Sequence, residues 1–294
     1  MSLRVGCIGL GTMGAPMARN LARAGFELSL ANRTAAKTRA LAAELSARAC
    51  DSAEELARTC DVVVSCLPDS PEVEEVHLGP RGTVHGASAG TVVVDCSTIA
   101  AEAARSIAGK LGESGIAWLD APVSGGQKSA VEGTLTFFVG GEASALEKAR
   151  PVLTAMGKRI THLGPAGAGQ LGKAVNQIIV AGNLIAVSEG MAFARKVGLP
   201  IEALHGALTA GAANSWALEV LGRKMIDRDF QPAFAISHQQ KDLAIVLRTA
   251  RENGVPLPGV ALVHQLLSAL EAQGRGKEGT QALLTLYERM SEPA

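Results

Sequence analysis

A short glycine-rich turn near the N-terminus constrains the fold of this chain more than any other feature. Residues 3–9 form an apolar run typical of a buried parallel strand, and they lead into Gly9, Gly11 and Gly14 in the spacing GxGxxG. A helical pattern and a second apolar run complete a βαβ unit of about thirty residues. In this context the glycines permit a tight turn, close approach of the backbone to a diphosphate, and packing of helix on strand. The unit predicts a dinucleotide site formed by Gly9, Leu10, Gly11, Thr12, Met13 and Gly14.

The end of the second strand predicts which dinucleotide binds. An NAD-dependent dehydrogenase usually carries an acidic residue about twenty residues after the glycines, whereas this sequence reads Asn32-Arg33-Thr34. Arg33 can offer a planar guanidinium to a 2′-phosphate, and Asn32 and Thr34 can add neutral hydrogen bonds. The alternative is an ordinary solvated loop arginine. The pattern favours NADP(H) over NAD(H).

Two further strand ends belong on the cofactor side of the predicted sheet. The runs over 61–67 and 91–96 are typical of central strands, and they end at Leu67-Pro68 and just before Thr98. Ligands of open α/β sheets lie beyond the carboxyl ends of the strands. We therefore expect Leu67-Pro68 and Ser97-Thr98 on the cofactor side, with Leu67, Pro68 and Thr98 at the cofactor, unless these residues simply begin loops.

A second glycine-rich segment follows the strand that ends near residue 120. It reads Asp120-Ala-Pro-Val-Ser-Gly-Gly126, in which Ser124 supplies a hydroxyl while Gly125 and Gly126 leave backbone amides unshielded. Such a cradle suits a small carboxylate. The alternative is a glycine-rich turn without a ligand.

Gly164-Pro165 ends the alternation of strands and helices, and every later segment has a helical pattern. We therefore predict an α/β Rossmann-type dinucleotide-binding domain over 1–164 and an all-α domain over 165–294. A long apolar helix over 167–198 joins the two.

This long segment is predicted to be a buried helix, because apolar residues occur on all its faces and Glu189 is its only charge between residues 173 and 195. A membrane span is the alternative. Polar residues in the middle, such as Asn183 and Ser188, disfavour it because each is costly in hydrocarbon. At the head of the helix Lys173, Asn176 and Gln177 have the spacing i, i+3, i+4, so their side chains share one face.

The composition narrows the partners and the compartment. The 28 basic and 28 acidic side chains give zero formal net charge without a basic run, which argues against nucleic acid or an anionic membrane as partner. The five cysteines lack CxxC spacing, so reduced thiols in a cytoplasmic protein are expected. The strand pattern begins at residue 3, and we expect no signal peptide.

The chain resembles the β-hydroxyacid dehydrogenase family over essentially its whole length. That family includes 3-hydroxyisobutyrate dehydrogenases, tartronate semialdehyde reductases and glyoxylate/succinic semialdehyde reductases. Four segments carry the resemblance: Gly9–Gly14 with Met17, Ala18, Asn20 and Leu21; Asp120–Gly126; Gly167-x-Gly169-x-x-x-Lys173-x-x-Asn176; and Lys241-Asp242-Leu243. Asn32-Arg33-Thr34 and the run from Pro232 to Asp242 are most similar to the NADP-dependent glyoxylate and succinic semialdehyde reductases. Gln177 is a departure, since many members carry asparagine there.

The resemblance implies a role for each matching residue. Lys173 is expected to donate the proton in reduction, with Asn176 orienting it. Lys241 is expected to close on the cofactor. The residues expected at the substrate are Thr98, Ser124, Gly125, Gly126, Gln177, Phe234 and Asp242. Thr98 is shared with the cofactor.

The chemistry has its own physical reason. When hydride reaches an aldehyde carbon, negative charge develops on the oxygen, and an ammonium group stabilises that charge and then gives up its proton. A buried lysine near another cation has a lowered pKa, so it can exchange its proton near neutrality. No metal is expected, because His238 and Asp242 at i, i+4 lack a third ligand in the sequence.

The leading hypothesis is therefore an NADPH-dependent reductase of small semialdehydes or 2-oxo acids, forming a homodimer or homotetramer. A 3-hydroxyisobutyrate or tartronate semialdehyde type of dehydrogenase is the alternative within the family. The alternative that is not an enzyme is a catalytically silent NADP-binding module. An imine reductase shares the architecture, but Lys173 argues against it, and 6-phosphogluconate dehydrogenases need a larger helical domain.

Overall fold

The computed structural model of the protein describes residues 3–291. By their internal contacts the residues form two compact units, one ending at Lys173 and the other beginning at Ala174. Strands give way to helices at Gly164, where the last strand ends. The domain boundary near residue 164 stays a prediction.

The first unit contains a nine-stranded sheet with helices packed on both faces. Its strands are β1 (Arg4–Ile8), β2 (Glu27–Ala31), β3 (Arg48–Ala49), β4 (Val62–Ser65), β5 (Val92–Asp95), β6 (Ala117–Asp120), β7 (Val123–Ser124), β8 (Leu135–Gly141) and β9 (Gly157–Gly164). Its helices are α1 (Gly14–Arg23), α2 (Ala35–Leu45), α3 (Ala53–Ala57), α4 (Ser70–Leu78), α5 (Ala101–Gly112), α6 (Gly126–Glu132) and α7 (Ala143–Met156), with a 3₁₀ turn over Thr83–His85.

The strand order is β3-β2-β1-β4-β5-β6-β8-β7, and β9 pairs with β8. Strands β1 to β6 are parallel to one another, whereas β8 runs antiparallel to β6 and β7. The order reverses between β1 and β4, and open parallel sheets bind dinucleotides in the crevice outside such a reversal. The predicted Rossmann-type domain is confirmed.

The central strands β4 and β5 are apolar over most of their length because both faces of the sheet are covered. β4 and β5 begin with the runs Val62–Val64 and Val92–Val94, all buried. Helices α1 and α7 contribute to the core on one face, and α3 and α5 to the core on the other. A parallel sheet covered on both sides shows this continuous pattern in place of alternation.

The second unit is entirely helical among the residues described. A long helix, α8 (Ala168–Lys196), begins in the first unit and continues in the second unit. The other elements are α9 (Ile201–Thr209), a π-helical turn (Ala217–Gly222), α10 (Arg223–Ile226), α11 (Ile236–Glu252), α12 (Pro258–Glu271), a 3₁₀ turn (Thr280–Ala282) and α13 (Leu283–Met290). Residues of α8, α11, α12 and α13 form one apolar core. The predicted all-α domain with a long helix is confirmed.

Burial of α8 differs from the expectation that all its faces are covered. One face packs into the helical core through Ala181, Leu184 and Met191, whereas Val175, Ile179 and other apolar side chains stay exposed. The sequence of α8 is apolar on all faces of the helix, but only part of this apolar surface is covered within one chain. By length and composition alone, α8 is long and apolar enough to cross a membrane. Its packed core face and buried polar side chains make it a helix of the folded interior instead.

Several elements differ from the sequence pattern in detail. Where the sequence after Gly164-Pro165 has a helical pattern, a π-helical turn precedes α10 and a 3₁₀ turn precedes α13. The short strands β3 and β7 and the helices α2 and α6 are further elements of the first unit. Ser52 accepts a hydrogen bond from the Glu55 amide and caps α3.

Candidate active site

The glycine turn lies between β1 and α1, at the point where the strand order reverses. Gly9 has φ +88°, and a Cβ there would collide with the Cys66 carbonyl at the end of β4. A Cβ on Gly14 would collide with the Gly9 carbonyl. Asn32 Oδ1 accepts a hydrogen bond from the Leu10 amide at 3.1 Å and so ties the turn to the end of β2. The two glycines and the asparagine therefore fix the shape of the turn.

The backbone of this turn is open to solvent. Gly11 is exposed, and a Cβ built on it meets nothing within 4 Å. Thr12 is also exposed, Met13 is half-buried, and no side chain caps the N-terminus of α1. A helix N-terminus with uncapped amides attracts a diphosphate. The residues predicted to bind the cofactor phosphates are thus placed together and open to a ligand.

The end of β2 presents cations to solvent. Arg33 and Thr34 are exposed and lie between Ala31, the last residue of β2, and the first turn of α2. Lys37 is also exposed, and it lies four residues after Arg33. The sequence analysis did not single out Lys37, because it assigned no helix to the residues that follow Thr34.

The ends of β4 and β5 are joined by a buried polar network. The Leu67 amide donates to Ser97 Oγ at 2.8 Å, and Ser97 Oγ donates to Asp95 Oδ1 at 2.6 Å. Ser65 Oγ donates to the same carboxylate oxygen and also contacts His77 Nε2 at 3.0 Å. Burial raises the pKa of Asp95 to about 6. This network orders the segments that carry Leu67, Pro68 and Thr98.

The predicted carboxylate cradle is a tight turn between β7 and α6. Gly125 has φ +126°, and a Cβ there would lie 2.5 Å from Ser129. Gly126 has φ +67°. Ser124 is half-buried and Gly125 is exposed, so the hydroxyl and the backbone of the turn are accessible to a small ligand. Both glycines adopt a conformation that other residues rarely allow.

Lys173 lies at this cradle. Its side chain is buried, and Nζ donates a hydrogen bond to the Val123 carbonyl at 2.9 Å. Val123 immediately precedes Ser124, so the ammonium group is held next to the predicted carboxylate site. The structure therefore brings together Lys173 and the Ser124–Gly126 turn, which are about 50 residues apart in sequence.

The head of α8 is anchored by Asp120, the last residue of β6. Asp120 is fully buried; its Oδ1 accepts from the Gly167 amide at 2.7 Å and its Oδ2 from the Gln170 amide at 2.9 Å. Burial raises the pKa of Asp120, and the hydrogen bonds from these amides oppose that shift. A carboxylate at a helix N-terminus is stabilised by the free amides and by the dipole.

Gln170 connects this helix head to the end of β5. Its side chain is buried; Oε1 accepts from the Ile99 amide at 3.1 Å and Nε2 donates to the Ser97 carbonyl at 2.9 Å. The sequence analysis gave no role to Asp120 or Gln170. The available signal was a glutamine one turn before Lys173 on the same helix.

In the second unit the predicted site residues form a group of their own. Gln177 Nε2 donates to Asp242 Oδ2 at 2.7 Å, and Lys241 Nζ lies 3.1 Å from Asp242 Oδ1. The Phe234 ring lies 5.9 Å from the His238 ring, centroid to centroid. Asn176 is half-buried on α8. The buried carboxylate of Asp242 thus orients both Gln177 and Lys241.

Known proteins resemble the chain along its whole length. Residues 4–164 match the family model of the NAD binding domain of 6-phosphogluconate dehydrogenase. Residues 167–287 match the model described as NAD-binding of NADP-dependent 3-hydroxyisobutyrate dehydrogenase. The 2-hydroxy-3-oxopropionate reductase of Escherichia coli (strain K12) is 39% identical over 98% of this chain and 98% of that protein. The chain belongs to the β-hydroxyacid dehydrogenase family.

Other members differ in what they act on. The NAD-dependent L-serine dehydrogenase of Pseudomonas aeruginosa is 38% identical to this β-hydroxyacid dehydrogenase over 97% of the chain and 98% of that protein. The structure of a 3-hydroxyisobutyrate dehydrogenase from Mycobacterium tuberculosis with L-serine matches with a TM-score of 0.88 at 31% identity, over 97% of this chain and 99% of that one. The protein is therefore an NAD(P)-dependent oxidoreductase of hydroxy acids.

Proposed function

We propose that this β-hydroxyacid dehydrogenase reduces small carboxylate-bearing aldehydes and 2-oxo acids of the glyoxylate and succinic semialdehyde type, with NADPH as the cofactor. The observation that carries the proposal is the buried Lys173 ammonium group, which donates a hydrogen bond to the Val123 carbonyl next to the Ser124–Gly126 turn. A proton donor beside a carboxylate cradle is the arrangement that such a substrate needs.

The chain's residues divide the work of the reaction. NADPH, when bound, supplies the hydride that adds to the carbonyl carbon. Ser124 and the amides of Gly125 and Gly126 hold the substrate carboxylate. Lys173 donates its proton to the carbonyl oxygen as the C=O electron pair moves onto that atom, and the neutral amine then regains a proton from water.

The amides and acids of the second unit support this step. Asn176 shares a helix face with Lys173 and is proposed to orient it and the substrate. Gln177 and Phe234 are proposed to contact the substrate together with Asp242, and Lys241 to contact the cofactor. Thr98 is proposed to touch both substrate and cofactor. Gln177 is already oriented by Asp242, so its carbonyl oxygen has a defined direction.

NADPH is proposed over NADH because cations, and no acid, follow β2. Arg33 and Thr34, with Asn32 and the additional Lys37, would hold the 2′-phosphate. The glycine turn Gly9–Gly14 would hold the diphosphate, with Leu67 and Pro68 bordering the cofactor at the end of β4. One relative is named as NAD-dependent, so the preference for NADPH is tested by comparing rates with the two cofactors.

Initial rates with glyoxylate and succinic semialdehyde, each with NADPH and with NADH, test the proposal. Lys173→Ala should lower kcat by about 100-fold or more, since general acid catalysis contributes about 10²–10⁴-fold. Arg33→Ala should lower kcat/KM for NADPH by about 10–100-fold, the worth of charge-assisted hydrogen bonds to a phosphate. It should leave NADH unaffected.

Exposed residues of the same types provide the controls. Lys158→Ala and Arg39→Ala remove exposed cations and should keep wild-type rates. An NADH preference in the wild-type protein would overturn the 2′-phosphate assignment. Full activity of Lys173→Ala would overturn the assignment of the proton donor, and no turnover with any acid of this class would favour a silent binding module.

A second substrate is favoured by one specific observation. The reductase from E. coli with 39% identity over nearly the whole chain is named for 2-hydroxy-3-oxopropionate, which is tartronate semialdehyde. This compound also pairs a carboxylate with an aldehyde, so the same residues would serve. A kcat/KM that is highest for this substrate would assign the protein to the tartronate semialdehyde type.

We also propose that the protein assembles as a homodimer or homotetramer through α8. Its exposed face carries Leu171, Val175, Ile179 and Phe193 at helical spacing. A contiguous apolar face on a described helix indicates a partner surface, and a second copy of the chain is the proposed partner. Light scattering of the purified protein measures the assembly directly.

The cytoplasm is the proposed compartment. Four of the five cysteines are buried, and none of the five forms a disulfide in the described residues, as expected in a reducing environment. Fractionation of cells that produce the protein should recover it with cytosolic markers, whereas recovery outside the cell would contradict this placement.

A further inference from the structure

The side chain of Gln170 makes two hydrogen bonds to the backbone on either side of Thr98. Oε1 accepts from the Ile99 amide at 3.1 Å, and Nε2 donates to the Ser97 carbonyl at 2.9 Å. Gln170 is 4% exposed, so water does not compete for these bonds. The Gln170 side chain therefore holds the segment that carries Thr98 against α8.

Gln170 also lies one turn before Lys173 on the same helix. Residues three apart on a helix share a face and move together. The two hydrogen bonds of Gln170 and one helical turn thus connect the Thr98 segment to Lys173.

The helix turn that carries Gln170 is itself anchored. Asp120 accepts the amides of Gly167 and Gln170, and the absence of side chains at Gly169 and Gly140 lets α8 close onto the strands. A Cβ on Gly140 would lie 2.7 Å from the Gly169 amide nitrogen. Gln170 therefore projects from a fixed point.

The connection continues to the cofactor side of the sheet. Ser97, whose carbonyl binds Gln170, bonds through its hydroxyl to Asp95 and accepts the Leu67 amide. The ends of β4, β5 and β6 and the head of α8 thus belong to one hydrogen-bonded set. Gln170 links the end of β5 to the helix carrying the proton donor, as Asp120 links the end of β6.

We propose that Gln170 is a positioning residue, which holds the Thr98 segment and the Lys173 ammonium in register for catalysis without touching substrate or cofactor. This inference rests on the proposed function of Lys173. A misplacement of about 1 Å of a catalytic group can cost on the order of 100-fold in rate. The effect of losing Gln170 should therefore fall on kcat.

Gln170→Leu tests this by removing both hydrogen bonds while keeping an apolar side chain of similar size. We expect kcat to fall about 100-fold while the Kd for NADPH, measured by its fluorescence, stays near that of the wild type. Hydrogen–deuterium exchange should become faster in the peptide that contains the Ile99 amide, which loses its acceptor, and stay unchanged in the central strands.

Gln281→Leu is the matched control. Gln281 is also fully buried, and its Nε2 donates to the backbone carbonyls of Asp229 and Gln231. Its replacement should lower thermal stability as much as Gln170→Leu does, yet leave kcat near the wild-type value. A kcat that falls equally in both variants would show that lost stability, not lost register, explains the effect.

Gln170→Glu provides a conservative rescue. A protonated carboxyl group can donate to the Ser97 carbonyl and accept from the Ile99 amide, whereas the ionised form cannot donate. Burial raises the pKa of a carboxyl group, so the ratio of variant to wild-type kcat should rise as pH falls from about 8 to about 6. Asp95, Asp120 and Lys173 are the titratable groups around this position, and both proteins contain them.

The outcomes separate this inference from the proposed function. Wild-type kcat in Gln170→Leu, or a kcat ratio of Gln170→Glu that does not change with pH, would overturn the positioning role alone. Absence of turnover in the wild-type protein with every substrate would overturn the proposed function first. A selective fall in kcat with local exchange at Ile99 and rescue at low pH would establish Gln170 as a positioning residue.

Discussion

Replacing Gly169 by alanine should damage the site although alanine is the better helix former. A Cβ at Gly169 would lie 2.5 Å from the Phe138 carbonyl oxygen and 2.8 Å from Asp120 Oδ2, and closer still to the Asp120 carbonyl. Real Cβ atoms essentially never approach within 3.0 Å of such atoms. The head of α8 must therefore move by at least roughly 0.5 Å, because the colliding carbonyls belong to strands and cannot yield.

Two opposing terms give the expected magnitude. Alanine in place of glycine inside a helix stabilises by about 1 kcal/mol, and overpacking against a rigid wall costs about 1–3 kcal/mol. We therefore expect the free energy of unfolding to fall by up to about 2 kcal/mol. The displacement reaches Lys173 one turn later, so kcat should fall by a larger factor than the loss of stability explains.

Gly109→Ala in α5 is the control, since Gly109 is exposed and a Cβ there meets nothing within 4 Å. It should stabilise the protein by about 1 kcal/mol without affecting kcat. Urea unfolding and initial rates measure both quantities. If Gly169→Ala is as stable and as active as Gly109→Ala, the close approach between α8 and the strands does not exist as described.

Two further predictions concern pH and assembly. Burial lowers the pKa of His77 from 6.5 to about 3, so just below pH 6.5 the imidazole takes up a proton only in the unfolded state. The stability that the neutral imidazole permits above that pH is therefore lost as the pH falls. Between pH 6.5 and pH 5 the free energy of unfolding falls by about 2 kcal/mol for this reason. His77→Gln should remove this pH dependence, which urea unfolding at the two pH values measures. Equal pH dependence in both proteins would contradict the buried neutral imidazole. On the exposed face of α8, Ile179→Asp should convert the assembly to monomers in light scattering, while Lys158→Asp at a site outside that face should not.

The sequence allowed prediction of the first unit because its signals are local. GxGxxG between a strand and a helix, and the Val-Val-Val runs of β4 and β5, each indicate one structure within a few residues. The all-helical second unit was equally readable from Gly164-Pro165 onward. The family and the class of reaction followed from four such segments in order.

The contacts across the site were not predictable in the same way. Asp120 and Gly167 are 47 residues apart, and Gln170 lies 71 residues from Ile99. Pairings over such distances depend on the packing of whole elements, which residue patterns do not encode. Burial of α8 was overestimated for a related reason, since a helix that is apolar all round has the same sequence whether its own chain or another covers it.

The order in which the chain emerges during synthesis gives the anchored head of α8 a further consequence. The bonds from Asp120 to Gly167 and Gln170 use residues at the end of the first unit, which is complete at Lys173. Domains fold as units from the N-terminal end during translation. The glycine turn, the cradle and the proton donor can therefore reach their native bonding before the helical unit has left the ribosome. The apolar remainder of α8 then leaves the exit tunnel before its own core exists.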